Sequence, residues 1–242
     1  MNNGKGVILV LLDLSAAFDT IDHDILLSRL RTRFGVEGSV LEWFHSYLED
    51  RYQAVYLNGQ SSQRMLLIYG VPQGSVLGPL EFISYMCPTF DIAQRHGVSM
   101  HQYADDTQLY LTFDLTSEGQ AAAVKKMEAC VEDIRRWMRL NKLKLNEDKT
   151  EVIVIAPPRQ YHKIEIEELK IGDVNVKVAQ CAKNLGATFD NTMSLETHIN
   201  CLVKSCNHQL RSIGKARKFL TRDATEKVIH AFVSSRLANG NS

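Results

Sequence analysis

Two places in the 242-residue sequence put carboxylates at the ends of apolar segments. Asp13 closes the β-favouring run 7–13, and Asp105 and Asp106 lie between two short alternating segments about 90 residues later. Singly, each is an ordinary cap or turn former. Together they bring carboxylates from two neighbouring strand ends toward one point, which costs free energy unless a cation neutralises them. Magnesium suits such a place, because this hard ion takes one or two carboxylates and completes its shell with substrate phosphates. Two such ions about 3.5–4 Å apart serve in-line phosphoryl displacement, activating the attacking hydroxyl and stabilising the leaving oxygen. Spacing alone leaves a polymerase, a nuclease and a calcium-binding turn open.

The elements that must position these residues follow from periodicity. A strand over 7–13 leads through a loop to a helix over 22–34, with Ile25, Leu26, Leu27 and Leu30 at helical spacing. A second helix covers 39–48, and strands 52–57 and 64–68 flank the turn Asn58-Gly59. The loop Gly70-Val71-Pro72-Gln73-Gly74-Ser75 precedes a buried helix over 76–93 that Pro88 kinks or ends. Strands 98–103 and 107–113 make a hairpin with Ala104-Asp105-Asp106 at its tip. The helix 117–140 is the clearest, with Ala123, Met127, Cys130, Val131, Ile134, Trp137 and Met138 at steps of three and four. A strand over 152–155, a break at Pro157-Pro158, a hairpin over 164–178 around Gly172-Asp173 and a strand over 185–189 follow. Helices 195–219 and 224–236 close the chain, with Ser194 and Asp223 as expected N-caps. Strands and helices mix without regular alternation, so the expected class is α+β.

Composition narrows the setting. The 45% hydrophobic and 23% charged content is that of an intracellular globular protein. The longest apolar run, 7–12, is far short of the roughly 20 residues a membrane-spanning helix needs, so no membrane partner is expected. Five cysteines at irregular spacing suit a reducing compartment and no disulfide-linked partner. His198, Cys201, Cys206 and His208 share one helical stretch at spacings that point them around its circumference, which favours ordinary helix positions over a zinc site. Charges cancel at 28 against 28, yet residues 198–222 hold six basic residues and no acidic one. That cationic stretch fits a solvated helix face and a phosphate-binding surface equally well.

The wording of the segments resembles the reverse transcriptase of LINE-type (non-LTR) retrotransposons. Leu11-Leu12-Asp13-Leu14-Ser15-Ala16-Ala17-Phe18-Asp19-Thr20-Ile21-Asp22-His23 is similar to the family's first palm motif. Gly70-Val71-Pro72-Gln73-Gly74-Ser75-Val76-Leu77-Gly78-Pro79 is similar to the second, and Tyr103-Ala104-Asp105-Asp106 to the third. Leu143-Lys144-Leu145-Asn146-Glu147-Asp148-Lys149-Thr150-Glu151 looks like the fourth, and Asn184-Leu185-Gly186 falls where the primer-gripping hairpin would be. Five motifs in the right order carry far more weight than a lone Tyr-Ala-Asp-Asp.

The resemblance implies a right-hand polymerase palm with an antiparallel sheet flanked by helices over 1–190, and an incomplete helical thumb over 191–242. It implies RNA-directed DNA synthesis from deoxynucleoside triphosphates on an RNA template and a DNA primer, with two magnesium ions or manganese in their place. Asp13 and Asp105 become the metal-bridging ligands and Asp106 their weaker neighbour, since consecutive residues of an extended chain point opposite ways. Lys149 falls near the leaving pyrophosphate. Phe18 is placed as a gate against the sugar 2′ position, its plainer reading being a core aromatic. Gln73 and Gly74 lie against the incoming nucleotide and template base, the plainer reading being a Pro-Gln-Gly turn. Lys204, Arg211, Lys215, Arg217 and Lys218 hold the duplex through phosphates. Asp19, Asp22, His23 and Asp24 read as structural at a helix start. By the same resemblance the protein is expected in the nucleus and in cytoplasmic ribonucleoprotein.

Some features depart from the family. The sequence opens a dozen residues before Asp13, where the family has a fingers region, and the endonuclease is missing, so a copy cut at both ends is expected, with residues 237–242 also leaving the pattern. Glu81 stands where the family has leucine. On a helix packed under the palm it either faces solvent or costs on the order of several kcal/mol to bury unpaired. An inactive relic that at most binds nucleic acid is the alternative function. A metal-dependent nuclease would leave residues 70–79 and Phe18 without a task.

Overall fold

The computed structural model describes residues 4–72 and 74–238. The chain begins with β1 (Lys5–Leu14), where residues alternate strictly between faces: Ile8, Val10, Leu12 and Leu14 are buried, while Val7, Leu9, Leu11 and Asp13 turn the other way. Helices α1 (His23–Phe34) and α2 (Gly38–Leu48) follow. As read from the sequence, Asp22 caps α1 by accepting the Ile25 N–H at 3.1 Å. The next stretch holds short, exposed strands, β2 (Tyr52–Gln53), β3 (Tyr56–Leu57), β4 (Gln60–Ser61) and β5 (Met65–Leu66). The expected segments 52–57 and 64–68 thus shrink to two-residue ladders, and most of their apolar side chains, Val55, Tyr56, Leu57 and Met65 among them, stand exposed.

Helix α3 (Gly78–Met86) stops before Pro88, which opens α4 (Pro88–Arg95). Proline lacks the N–H that a continuous helix would need there but is tolerated in a first turn. Then come β6 (Ser99–Tyr103), β7 (Asp106–Asp114), the long α5 (Ser117–Leu140) and β8 (Leu145–Ile155). Hairpins β9 (Glu168–Ile171) with β10 (Val174–Ala179), and β11 (Cys181–Asn184) with β12 (Ala187–Asp190), precede α6 (Glu196–Ala216). The last, α7 (Arg222–Ile229), runs through a π turn into α8 (Ser235–Ala238).

Six strands form one sheet in the order β6-β7-β1-β8-β10-β9. It is antiparallel except where β10 runs parallel to β8, Val178 opposite Val152. Helices cover one face: Met127, Cys130, Val131, Ile134 and Met138 of α5 join Ile8, Val10 and Leu109 in the main core. The other face is covered only in part, where Ala182 of β11 rests on Ile153 and Ile155. Beyond that cover the sheet face around Asp13 stays open. The last helices bury a small cluster of their own, Cys206, Ile213 and Val233.

Two expected caps shift. Leu195, not Ser194, takes the N-cap place of α6, and Thr221 caps α7 by accepting the Ala224 N–H, while Asp223 pairs with Lys227 at 2.7 Å. Asp190 anchors the approach to α6 instead. Its carboxylate accepts from the N–H and O–H groups of both Thr192 and Ser194, at 2.8–3.0 Å.

Candidate active site

Register decides which carboxylates meet. β1 pairs with β7 so that Leu11 faces Gln108 and Leu12 faces Thr107. One step on, Asp13 comes opposite Asp106, and directly opposed residues of an antiparallel pair project from the same face. Ala104 and Asp105 form the hairpin turn, with Ala104 at φ 53° and Asp105 exposed. The structure therefore sets Asp106 beside Asp13 and leaves Asp105 on the turn, because the two-residue turn begins at Ala104 and strand geometry resumes at Asp106.

On its other side β1 meets β8 across an irregularity. Leu11 faces Glu151 and Asp13 faces Asn146, so Glu147 to Thr150 stand opposite Leu12 alone. Such a bulge pushes the strand outward and re-aims its side chains. Arg135 of α5 anchors it, bonding Glu147 at 2.8 Å and Asp173 at 2.9 Å. Sequence patterning begins this strand only at residue 152, since 146–151 are polar, yet those residues bring Asp148, Lys149 and Glu151 to the open face.

The result is a depression of about 390 Å³ lined by Asp13, Asp106, Gln108, Asp148, Lys149, Glu151, Lys183 and Asn184, among others. Partial desolvation raises the Asp106 carboxyl above the ordinary carboxylate range, and the negative charges of Asp105 and Asp13 raise it further. Neither Lys149 nor Lys183 forms an ion pair among the described residues. Lys183 and Gln108 escaped the sequence reading, whereas Asn184 belongs to the expected primer-gripping hairpin. The signal was faint: Lys183 immediately precedes Asn184-Leu185-Gly186.

The first and second motifs meet at Gly70, which is their joint. At φ +84° it adopts a backbone conformation that L side chains rarely take, and a Cβ there would lie 3.0 Å from the Asp19 backbone. Its N–H donates to the Ile21 carbonyl at 2.8 Å, and the Val71 N–H donates to the Phe18 carbonyl at 2.9 Å. The Gly70 carbonyl accepts from His23 Nε2 at 2.8 Å and from Arg51 Nη1 at 2.9 Å. Because a carbonyl only accepts, His23 carries its proton on Nε2.

Phe18 is half-buried, its ring centroid 5.1 Å from that of Phe82 on α3. Gly74 is exposed at φ +77° with open space where a Cβ would stand, so turn conformation rather than crowding demands glycine there. Gln73 lies outside the described residues, as do Asn239 to Ser242 at the carboxyl end. Glu81 does not reach solvent: it is 2% exposed, and neither carboxyl oxygen has a hydrogen-bond partner among the described residues. On α6, Lys204, Arg211 and Lys215 recur at steps of seven and four, opposite the stripe of Leu202, Cys206 and Ile213 that packs on α7 and the π turn. Lys204, Arg211, Lys215, Arg217 and Lys218 are all exposed.

The family model for reverse transcriptase (RNA-dependent DNA polymerase) matches residues 1–189. This chain belongs to the reverse transcriptase family. Within the family its relatives are enzymes of non-LTR elements. It is 29% identical over 224 residues to a probable RNA-directed DNA polymerase from transposon BS of Drosophila melanogaster, covering 89% of this chain and 23% of that protein. It is 24% identical to the RNA-directed DNA polymerase from mobile element jockey of the same fly, covering 82% of this chain and 21% of that protein. This reverse transcriptase chain thus spans about a fifth to a quarter of the length of such relatives. Solved structures share the fold. Apo telomerase from Candida tropicalis superposes with a TM-score of 0.51 at 14% identity, covering 79% of this chain and 35% of that one. The same telomerase with a telomeric RNA fragment gives 0.51 at 12% identity, covering 97% and 39%.

Reverse transcriptases work with divalent metal ions. No group of three or more His, Cys, Asp or Glu side chains among the described residues is gathered to hold one unaided. The carboxylates available to an ion there are Asp13 and Asp106 with Asp105 nearby, and the crowding that raises the Asp106 carboxyl is the kind a cation relieves. This fits an ion whose shell is completed by substrate phosphates rather than one caged by protein.

Proposed function

We propose that this chain is the polymerising palm of an RNA-directed DNA polymerase from a non-LTR retrotransposon, adding deoxynucleotides to a DNA primer 3′ end on an RNA template. The observation that carries this reading is the opposition of Asp13 and Asp106 across β1 and β7, in one depression with two lysines in no described ion pair. Asp13 and Asp106, with Asp105 adding charge from the turn, would hold two magnesium ions, which lower the pKa of the attacking hydroxyl and offset charge on the transferring phosphoryl group. Lys149, from the bulge in β8, neutralises the leaving pyrophosphate. Lys183 lines the same depression from β11, where phosphate oxygens of the nucleic acid can lie. Gly74 borders the nucleotide, and Phe18, braced on Phe82, faces its sugar. We further propose that residues 1–190 form the palm and 191–242 the thumb, whose Lys204, Arg211, Lys215, Arg217 and Lys218 contact duplex phosphates without reading sequence. The small separate cluster under α6 supports that division. The nuclear and ribonucleoprotein setting belongs to the same proposal.

The test is incorporation of a labelled deoxynucleotide on a primed RNA template with magnesium, run beside a cleavage assay on the same nucleic acid. Template-dependent extension without cleavage is expected. Cleavage without extension would replace this reading by the nuclease.

A further inference from the structure

The bulge in β8 is the least self-supporting wall of the depression. Glu147 to Thr150 have only Leu12 opposite them on β1, so strand pairing alone does not fix where Lys149 stands. The bulge parts two hollows. Lys149 lines the one that holds Asp13 and Asp106, Glu147 lines another together with Arg135, and Asp148 lines both. One tie lies within the bulge, where the Thr150 hydroxyl donates to the Asn146 carbonyl at 2.9 Å. The stronger tie comes from outside it.

Arg135 turns all three guanidinium nitrogens on carboxylates: Nε on Glu147 at 2.8 Å, Nη2 on Asp173 at 2.9 Å and Nη1 on Glu132 at 3.3 Å. Its base is fixed, because Ile134 and Met138 flank it on α5 inside the core, as do Leu169 and Ile171 of the β9–β10 hairpin whose turn carries Asp173. The Glu147 bond counts most. The Arg135 and Glu147 side chains are 14% and 22% exposed, against 89% for Asp173, whose ion pair water screens. Backbone closes over the pair: Gly172, at φ +62°, passes so near that a Cβ on it would collide with Glu147 Oε1 and lie 2.6 Å from Arg135 Nε. We propose that Arg135 is a positioning residue for Lys149, bracing Glu147 so that the bulge presents the lysine to the depression that holds Asp13 and Asp106. A lysine in its place would keep the charge but lose the planar fork that reaches three carboxylates. Gly172 supplies the clearance the brace needs. What Lys149 does in the depression rests on the polymerase reading, but the brace itself does not.

Amide hydrogen exchange tests the brace without requiring activity. Arg135→Met should speed exchange across residues 146–151 about tenfold, the worth of one hydrogen bond to a charged group, and leave β1 as it is. Glu147→Gln should do the same to a lesser degree, and so should Gly172→Ala, which keeps both partners but takes their clearance. Lys149→Met should leave exchange unchanged, since the lysine is held and does not hold. In single-nucleotide addition Arg135→Met should lower kcat about tenfold, with the KM values for primer and deoxynucleotide little changed, as expected of an interaction felt in the transition state. A residue that acts only through another shows its whole effect as coupling, so in the Lys149→Met background Arg135→Met should lower kcat no further. A general loosening of the fold would add its loss there in full. Exchange in the bulge that ignores Arg135→Met, an equal rise in β1, or a kcat loss that persists in the Lys149→Met background overturns the proposal. Failure of the wild-type chain to extend would sink the polymerase reading while leaving the exchange result to decide the brace.

Discussion

Around β1 the chain packs side chains until no solvent remains, whereas α6 to α8 share a far thinner interior. Ile8, Val10, Leu109 and Met127 are at 0% exposure, against 7–8% for Cys206, Ile213 and Val233. The carboxylates rise from the first region and the lysines and arginines of the basic tail from the second. Phosphoryl transfer needs its charged groups held to fractions of an ångström, which a close-packed sheet provides. Gripping a duplex through its phosphates requires only a cationic surface in about the right place, and a loosely rooted helix pair suffices.

The contrast is sharpest under truncation of one side chain. Ile8→Ala should cost the whole domain about 2–5 kcal/mol in urea unfolding. Ile213→Ala should cost less and leave that transition nearly in place, speeding hydrogen exchange in α6 and α7 alone. Equal losses in the global transition would mean that the two regions fold as one unit.

Glu81→Leu should run the other way within the rigid region, gaining about 1–3 kcal/mol by removing an unpartnered buried carboxyl. A loss would mean that Glu81 has a partner in solution.

At the junction between the regions, Asp190 is held well below the ordinary carboxylate range by the donors of Ser194 and Thr192. A depressed folded-state pKa contributes stability above the unfolded value, about 3.9, and loses it as pH falls below that value toward the folded one. Removing the clamp with Asp190→Ala should cost about 1–3 kcal/mol at neutral pH. It should also flatten the acid limb of the stability profile. An unchanged limb would place the clamp outside the cooperative unit.

The smallest effects belong to the basic surface. Lys204→Gln, Arg211→Gln and Lys215→Gln should each lower the salt slope of duplex binding by about 1 without altering sequence preference. A slope that stays put would remove α6 from the duplex path.

Legibility in the sequence followed the same divide. Strand β1, α5 and the Asp105-Asp106 hairpin were readable because one buried face imposes a strict period on each. The bulge at 147–150 was not, since its polar residues have no period and their placement depends on Arg135, distant in sequence. The pairing of Asp13 with Asp106 needed the register, which a hairpin turn shorter by one residue would have reversed. The role of Gly70 as a joint needed the backbone of Asp19 beside it. Glu81 was visible as an oddity, but whether it faced solvent or the core depended on how α3 rolled against Phe18.

The most direct test is primer extension on an RNA template by the wild-type chain beside Asp13→Asn and Asp106→Asn, each shown by circular dichroism to be folded. The opposed pair predicts wild-type extension and a loss of about 1,000-fold or more in either variant, equivalent to roughly 4 kcal/mol of transition-state stabilisation. Extension that survives either substitution, or none from the folded wild-type chain, would contradict a polymerising centre built on these two carboxylates.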